Sequence, residues 1–596
     1  MSRVDEVIET DVLLIGGGGA GIVAAIESAK YGVDVTLVVK GLIGHSGCTP
    51  AAMGGIAGFP VRDPRDSWWQ HFCDTVIGGA FLNDQTLVEV LVKDAPMALL
   101  ALEDWGCIFD RDNDGGPYLR QFGGHTYRRS VSSGDRSGAE MIKGLKARLF
   151  KSPVRVLDEI DVTRLLTNEL GEVVGATAVN IRNGKFLVFK AKAIILATGG
   201  MGKVFPISFA ADWNVGDGYY MAMLAGARVV DLEMMQWHPT AIWWPPGLRS
   251  MMGTEALRSE GGRLYNKYGE RLMIKYSPEW LDVATRDLVS RSIYREYIAG
   301  NATENGGIYL SLTHIPADII EQRLPTMLSN LLSVGIDIRT EPFEVTPAAH
   351  YTDGGVVVDV MGESEDIPGL YAAGEISGGV HGGNRLGSNS LPDLMVAGTR
   401  AGQSAAIRAK RLKKVSKRTE ISQSQIKEER LRVFAPLERE DGISPLELRD
   451  RHLDLTWKYI SVIRDGNGLR RAIAEMDAMW SEELPKVSVS DGAKTWNYEW
   501  LEALDLYPRL FTSQAMAMSA LLRTESRANH YRQDFPVIDN KNWLKNVEVS
   551  YVTSDPTLSK SIKTSTRPVR VTLLTPEAAG LPAFVDEKRG NENIEH

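Results

Sequence analysis

The chain has 596 residues, of which 43% are hydrophobic and 24% are charged, and its formal net charge at neutral pH is -9. These values are ordinary for a globular protein of about two to four domains, and the acidic balance argues against a nucleic-acid partner. The cysteines are Cys48, Cys73 and Cys107, an odd and sparse set that is typical of a reducing compartment. Three thiolates cannot complete a four-cysteine iron–sulfur site, so we expect any electron relay to lie on another chain.

The N-terminal segment MSRVDEVIETD is acidic and lacks the apolar stretch of a signal peptide, so we expect none. The sequence contains no run of about 18 consecutive apolar residues, the length that a membrane-spanning helix needs. We therefore expect membrane contact, if there is any, through partner subunits.

Residues 11–40 read as a strand, a glycine turn, a helix and a second strand. Gly16, Gly18 and Gly21 fit the pattern G-x-G-x-x-G, in which the glycines allow a tight turn, a close approach of the pyrophosphate and tight helix packing. The pattern predicts a dinucleotide site. Lys40 ends the second strand, where an acidic residue commonly binds the adenosine ribose, so NAD is the less expected dinucleotide.

The pattern downstream predicts how this domain continues. Residues 154–192 alternate as strands with a hairpin signal, and residues 193–200, AIILATGG, read as a buried strand that returns to the sheet. The alternation of predicted strands and helices is interrupted across residues 231–350 and resumes in residues 355–410. Such an insertion is expected to lie over the cofactor, with ligand space between them.

The C-terminal part has a different pattern. Residues 409–430 are polar and charged and read as a solvated helix end or linker, while residues 446–483 and 499–527 have helical periodicity. The tail contains strand-like segments, and its last residues, GNENIEH, are expected to be frayed. We predict an α/β fold with a Rossmann-type FAD-binding domain in two parts, an inserted α+β capping domain, a C-terminal helical domain and a tail. In chain order the boundaries are 1–232, 233–349, 350–412, 413–543 and 544–596.

The insertion and the segments that follow it carry several charged and polar side chains in recognisable motifs. Taken singly, each has an ordinary structural explanation as a core histidine, a surface ion pair or a helix cap. Together they supply donors for both carboxylates of a small dicarboxylate. These residues are His238 in QWHPT, Glu255 and Arg258 in TEALRSEGG, Arg286 in TRD, His350 in PAAHYTDGG and Arg385 in HGGNRLGSNS.

In order and spacing, ATGG, QWHPT, TEALRSEGG, TRD, HYTDGG and HGGNRLGSNSL resemble the flavoprotein subunit of succinate dehydrogenase and fumarate reductase, with L-aspartate oxidase a close relative. LLRTESRANHYRQDFP, residues 521–536, is similar to the signature of that family's helical domain. The resemblance covers about residues 8–550. It implies FAD, interconversion of succinate and fumarate by hydride transfer at flavin N5, and partner subunits that carry iron–sulfur clusters and a membrane anchor. The implied location is the cytoplasm or the cytoplasmic face of a membrane.

The resemblance also implies roles for individual residues. Arg286 would be the proton shuttle, with Glu255 and Arg258 relaying protons from solvent. The substrate carboxylates would be held by His238, Thr254, His350 and Arg385. The residues implied to contact FAD are Gly16, Gly18, Gly19, Ala20, Gly21, Lys40, Ser46, Cys48, Thr49, Gly54, Gly55, Asp217, Glu375, Arg385, Ser390 and Leu391. For Asp217, the residues alone leave a second interpretation open, as the cap of the helix that follows. No metal site is expected.

Three positions depart from the family pattern. Most members attach the flavin to a histidine, and Cys48 stands at that place, with His45 three residues earlier. We expect noncovalent FAD, which would favour fumarate reduction; the alternatives are a shifted loop that brings His45 to the flavin and a thioether to Cys48. Met53 replaces the usual Gln or Glu. Asp353 replaces an apolar residue, and its charge near the dicarboxylate argues against the substrate assignment.

Two other functions stay open from the sequence. One is L-aspartate oxidase or a related dicarboxylate flavoenzyme, which iminoaspartate formation would reveal. The other is a catalytically silent flavoprotein that serves as an assembly or electron-transfer scaffold, and the presence of Arg286, Glu255 and Arg258 argues against it. Adenylylsulfate reductase is less expected because the dicarboxylate-binding set is present.

Overall fold

A parallel five-stranded sheet lies at the centre of the computed structural model, which describes residues 4–58, 62–134, 136–412, 420–552, 555–580 and 584–585. Its strands are short aliphatic runs, fully buried except in one edge strand, as a sheet covered on both faces requires. In spatial order they are β18 (Leu370–Ala372), β11 (Ala193–Leu196), β2 (Val12–Ile15), β3 (Val35–Val39) and the partly exposed β7 (Arg155–Asp158).

Helices cover this sheet. The helix that follows the glycine turn, α1 (Gly19–Ala29), packs against α11 (Ser390–Arg411) and α4 (Ser137–Leu149). A further helix, α3 (Gln85–Asp104), packs on α11 and on α2 (Trp68–Gly78). A small sheet crosses beside them and contains β4 (Ile56–Ala57), β5 (Leu119–Arg120) and β6 (Ser130–Val131).

The strand-rich excursion predicted between residues 154 and 192 forms a second sheet. Asn183 and Gly184 form the turn of its central hairpin, as their sequence predicts, and Gly184 has a φ of +65°. In spatial order the strands are β1 (Glu6–Glu9), β10 (Phe186–Lys190), β9 (Val173–Asn180) and β8 (Ile160–Thr167).

The insertion has a sheet and a hydrophobic core of its own. Its long strands β13 (Met235–Trp244) and β16 (Phe343–Thr352) pair antiparallel and end beside the central sheet. The core is formed by aliphatic residues such as Leu257, Val289 and Leu310. The other elements are β14 (Arg263–Tyr265), β15 (Ile308–Ser311), α6 (Ala256–Ser259), α7 (Leu272–Tyr276), α8 (Arg286–Ile298), α9 (Ala317–Arg323) and α10 (Pro325–Leu332).

The predicted helical part is longer than its periodicity indicated. The segment 409–430, interpreted as a helix end or linker, contains the end of α11 and the start of a further helix, α12 (Gln423–Glu438), because Ile426, Val433 and Phe434 give α12 a buried face. Residues 413–419 lie outside the described residues. The helices that follow are α13 (Pro445–Tyr459), α14 (Gly466–Ala478) and α15 (Tyr498–Leu522). Among the helices in the described ranges, none combines the length and apolar character needed to cross a membrane.

The strand-like segments of the tail complete another four-stranded sheet. Its spatial order is β17 (Gly355–Val356), β12 (Val229–Val230), β20 (Lys545–Tyr551) and β21 (Ile562–Pro568). Further short elements are α5 (Asp217–Leu224), α16 (Asn540–Trp543), α17 (Leu558–Ser561), β19 (Ile538–Asp539) and β22 (Phe584–Val585). The final GNENIEH lies outside the described residues. The α/β fold with a Rossmann-type core, an inserted α+β layer and a C-terminal helical part is confirmed.

Candidate functional site

A cavity of about 1680 Å³ opens at the carboxyl ends of β2, β11 and β18 and is closed on the other side by the insertion. Cavities that bind ordinary small ligands measure roughly 300–1,000 Å³, so this one has room for a dinucleotide and a small substrate together. Its position follows the rule that ligands of open α/β sheets bind beyond the carboxyl ends of the strands.

The glycine turn forms one end of the cavity. Gly16 has a φ of +114°, and a Cβ on Gly21 would lie 1.9 Å from the Gly16 carbonyl oxygen, so neither position admits a side chain. Gly21 packs α1 against the strand and does not line the cavity, whereas Gly18, Gly19 and Ala20 do. The N-terminus of α1, where the Gly19 N–H donates to the Thr49 Oγ1 at 3.2 Å, makes this end suited to a pyrophosphate.

The other residues predicted to contact FAD surround the same cavity. The first residues of α11, Ser390 and Leu391, place a second helix N-terminus against it. Burial raises the pKa of Glu375 to about 7. The remaining predicted residues that line the cavity are Lys40, Ser46, Cys48, Thr49, Gly54, Gly55, Asp217 and Arg385.

Lys40 is the centre of a buried charge cluster. Its Nζ lies 2.5 Å from Asp505, 3.2 Å from Asp161 and 3.9 Å from Asp217. Burial alone would lower the pKa of Lys40, but these three carboxylates outweigh it and raise that pKa above its ordinary value. Burial raises the pKa of Asp217 to about 7. Asp161 and Asp217 line the cavity, so carboxylates are present at the strand end where the sequence shows only a lysine.

Asp217 is the first residue of α5, and its carboxylate accepts a hydrogen bond from the Gly218 N–H at 2.9 Å. The N-cap of α5 is Gly216, and no side chain caps this helix terminus, so the interpretation of Asp217 as the helix cap is wrong, whereas Asp217 does line the cavity.

The two residues considered for flavin attachment lie in different environments. Cys48 lines the cavity, and its Sγ accepts the Ala211 N–H at 3.3 Å and lies 3.4 Å from the Asn214 Oδ1. Burial raises the pKa of the Cys48 thiol to about 12. His45 is exposed, lies outside the cavity lining and has its Nε2 3.1 Å from the Lys146 Nζ.

The insertion brings Arg286 and Glu255 together at the far end of the cavity. Arg286 begins α8, and its Nε donates to the Glu255 Oε2 at 2.9 Å, with a second bond from its Nη2. The Arg286 charge lowers the pKa of Glu255, so this carboxylate is ionised at neutral pH. Arg258 is buried behind the pair and donates to the carbonyl oxygens of Asp282 and Ala284 instead of lining the cavity.

Two histidines and Arg385 face this pair. Burial lowers the pKa of His238 and of His350 well below the ordinary value, so both rings are neutral. The ring centroids are 5.6 Å apart, and the Arg385 Nη2 lies 3.2 Å from the His350 Nε2. The buried Nε of Arg385 and Nδ1 of His350 have no hydrogen-bond partner. Thr254 lines the cavity beside them.

Asp353 does not point at the expected dicarboxylate position. It is 1% exposed, lies outside the cavity lining, and its two carboxylate oxygens accept the Arg385 N–H and the Asn529 side-chain amide. Burial raises the pKa of Asp353 to about 8. The expectation of a negative charge facing the substrate is therefore corrected, because the side chain turns toward a backbone N–H and a buried amide instead.

Several cavity residues were missed from the sequence. Phe209 lies edge-on to the rings of His238 and His350 at 5.5 and 5.8 Å, and it belongs to no motif. Gln236, inside QWHPT, lies behind the cavity lining, and its side chain contacts Arg385. Tyr351 lines the cavity under the Arg385 guanidinium, at 4.8 Å. The alternation of strand residues predicts which side chains share a face, but not these contacts between distant segments.

Comparison with known proteins places the chain among flavoproteins. The family model described as an FAD binding domain matches residues 11–391, and the one described as the fumarate reductase flavoprotein C-terminus matches residues 449–580. A subunit of the CoM/CoB fumarate reductase of Methanothermobacter marburgensis is 44% identical over 89% of this chain and 95% of its own length. The succinate dehydrogenase flavoprotein subunit of Coxiella burnetii is 34% identical over 90% of this chain and 93% of its own. A solved structure of the E. coli quinol fumarate reductase FrdA chain superposes with a TM-score of 0.88 at 31% identity, covering 96% of this chain and 98% of that one.

The raised pKa of Asp217 predicts a pH dependence of stability. Because folding favours the protonated carboxyl, the stabilisation is present below about pH 4, the unfolded pKa, and is lost as the pH rises through about 7. In FAD-free protein, the melting temperature of the wild type relative to Asp217→Asn should fall between pH 5 and pH 8. Asp212→Asn, at a side chain that is 90% exposed, is the control and should show a flat difference. A flat difference for Asp217→Asn would contradict the assignment.

Proposed function

Because the chain belongs to the flavoprotein-subunit family of succinate dehydrogenase and fumarate reductase, we propose that it is an FAD enzyme that interconverts fumarate and succinate. The observation that carries the proposal is the Arg286–Glu255 pair facing Arg385 and His350 across the end of an FAD-sized cavity. Bound FAD supplies the hydride chemistry. The residues of this chain bind and orient the diacid and supply a proton.

The cavity's own polar groups fit FAD. The N-termini of α1 and α11 and the glycine turn suit the pyrophosphate and the flavin, and Lys40 with Asp161 and Asp217 surrounds the strand end where the adenosine ribose is expected. We keep the full predicted set of cofactor contacts as part of the proposal, except that Gly21 acts by packing α1 and not by contact.

The donors at the substrate end fit two carboxylates. The Thr240 N–H lies 3.4 Å from the His238 Nδ1 and donates to it, which leaves Nε2 of that neutral ring as the N–H donor. Arg385 donates to the His350 Nε2 in the same way, so the His350 Nδ1 carries the hydrogen and is free. We propose that these two ring N–H groups, the Thr254 hydroxyl and the Arg385 guanidinium hold the diacid.

Arg286 is the group proposed to move the proton. Reduction of the alkene adds a hydride to one carbon and a proton to the next, and a guanidinium can give up a proton only where the proton is promptly replaced. Glu255 is bonded to two nitrogens of Arg286 and therefore stands where a replacement proton would arrive. Arg258, buried behind Glu255, lowers the pKa of that carboxyl further and completes the proposed relay.

We propose that FAD is bound noncovalently. A thioether would require the Cys48 thiolate, and burial raises the pKa of that thiol to about 12, far above neutral pH. His45 is directed toward Lys146 and away from the cavity. The 44% identical relative from a fumarate reductase supports fumarate reduction as the direction.

Electrons would pass through an iron–sulfur partner subunit, with membrane-anchor subunits as further partners. Cys48, Cys73 and Cys107 are separate free thiols, and among the described residues no cluster of His, Cys, Asp and Glu could hold a metal. We also propose the domain boundaries at 1–232, 233–349, 350–412, 413–543 and 544–596.

Replacing Arg286 tests the proposed chemistry. Arg286→Gln should lower the rate of fumarate reduction about 10²–10⁴-fold, the range that a positioned proton donor contributes, because the glutamine amide cannot donate the proton. Binding of malonate, a diacid that does not react, should change much less. Arg295→Gln lies on the same helix and contacts Tyr531, so it should retain activity. Unaltered turnover in Arg286→Gln would refute this role.

Acid precipitation tests the flavin linkage. The yellow colour should stay in the supernatant, as released FAD, and the mass of the precipitated chain should equal that of the polypeptide. A chain that carries the additional mass of FAD, mapped to a peptide with Cys48 or His45, would refute noncovalent binding.

A further inference from the structure

Arg385 is surrounded by a set of buried and partly buried polar side chains that the reaction itself does not use. We call this set the Arg385 cradle, and its members are Gln236, Asp353, Asn384 and Asn529. They come from β13, from the residue that follows β16, from the loop before α11 and from the segment after α15. The cradle therefore joins four separate parts of the chain around one arginine.

The backbone of Arg385 is fixed by Asp353. Its Oδ1 accepts the Arg385 N–H at 2.9 Å, and its Oδ2 accepts the Asn529 Nδ2 at 2.7 Å. Asp353 and Asn529 are 1% and 6% exposed. Buried carboxyl groups are costly unless their oxygens are hydrogen-bonded, so the two donors fix this side chain in one orientation.

The side chain of Arg385 is fixed by Gln236. The Arg385 Nη2 donates to the Gln236 Oε1 at 2.9 Å. The Gln236 Nε2 donates to the Asn384 Oδ1 at 2.7 Å and to the Arg385 carbonyl oxygen at 2.9 Å. Asn529 closes the set, because its Nδ2 also lies 3.2 Å from the Asn384 Oδ1. The bonds leave the Arg385 Nε without a partner.

Asn529 is presented by a strained turn. Arg527 and His530 exchange backbone hydrogen bonds of 2.8 and 2.9 Å, and Ala528 at the tip has a φ of +49°, which is uncommon for a residue with a side chain. The Asn529 N–H donates to the Gly383 carbonyl oxygen at 3.3 Å, two residues before Arg385. Strain of this kind persists where surrounding contacts hold it, and here they hold the turn against the loop that carries Arg385.

We propose that Asp353 and Asn529 are positioning residues that set the affinity of the site for dicarboxylates through Arg385. This inference rests on the proposed function and adds to it a substrate-binding dependence on the C-terminal segment 523–535. A bidentate contact between guanidinium and carboxylate tolerates little misplacement, because both hydrogen bonds must align at once. Releasing one side of the cradle would let the guanidinium move without removing it.

The test is the dissociation constant of malonate, measured by the change it causes in the absorption of oxidised flavin in the holoprotein. Losing a hydrogen bond that orients a charged group costs about 10- to 100-fold in an equilibrium constant, so we expect Asn529→Ala and Asp353→Asn each to raise this constant by that factor with FAD still bound.

The chain offers a matched control. Asn546 donates to the buried Asp231 at 2.6 Å, and the other oxygen of Asp231 accepts the Val547 N–H at 2.8 Å, so the pair repeats the Asn529–Asp353 chemistry away from Arg385. Asn546→Ala should lower the melting temperature as Asn529→Ala does, but leave malonate binding within about twofold.

The outcomes separate the two proposals. Malonate affinity within twofold of wild type in both Asn529→Ala and Asp353→Asn would overturn the positioning role, and so would an equal loss in Asn546→Ala. If the wild-type flavin responds to no dicarboxylate, the proposed function fails, and this inference falls with it.

Discussion

The substrate end of the cavity has more buried positive charge than negative charge around it. Arg286 and Arg385 line this end, Arg258 is buried behind them, and Glu255 is the carboxylate that is hydrogen-bonded to Arg286. Burial lowers the pKa of Arg385 and of Arg258, as expected for cations removed from water without full compensation. A bound dianion would supply the missing negative charge. Burial, together with the charges of these arginines, keeps both histidines neutral.

The sequence predicts which side chains lie at the cavity where a short motif contains both the reactive group and the turn or helix that positions it. Arg286 is the first residue of α8, Glu255 directly precedes the short helix α6, and the insertion folds both against the cavity. The glycine turn and the return strand at residues 193–196 also form as predicted, because each is determined by local backbone needs and by an unbroken apolar run.

The environment of Asp353 could not be predicted in that way. Its partner Asn529 is 176 residues away, and their contact depends on how the turn after α15 meets the end of β16. The sequence shows a carboxylate beside a substrate motif and suggests repulsion of the substrate, whereas the structure directs it to the Arg385 N–H. Lys40 is a similar case, since Asp161 and Asp505 reach it from other elements. Alternation along a strand gives the face of a residue, but not its partner.

The central claim is that this cavity exchanges a hydride and a proton with a four-carbon diacid. The most direct measurement mixes anaerobic, chemically reduced holoprotein with fumarate and follows flavin absorption while succinate is quantified. We expect the flavin to be reoxidised and one succinate to form for each FAD. A flavin that stays reduced with fumarate, or an oxidised flavin that is bleached by L-aspartate with formation of iminoaspartate, would contradict it.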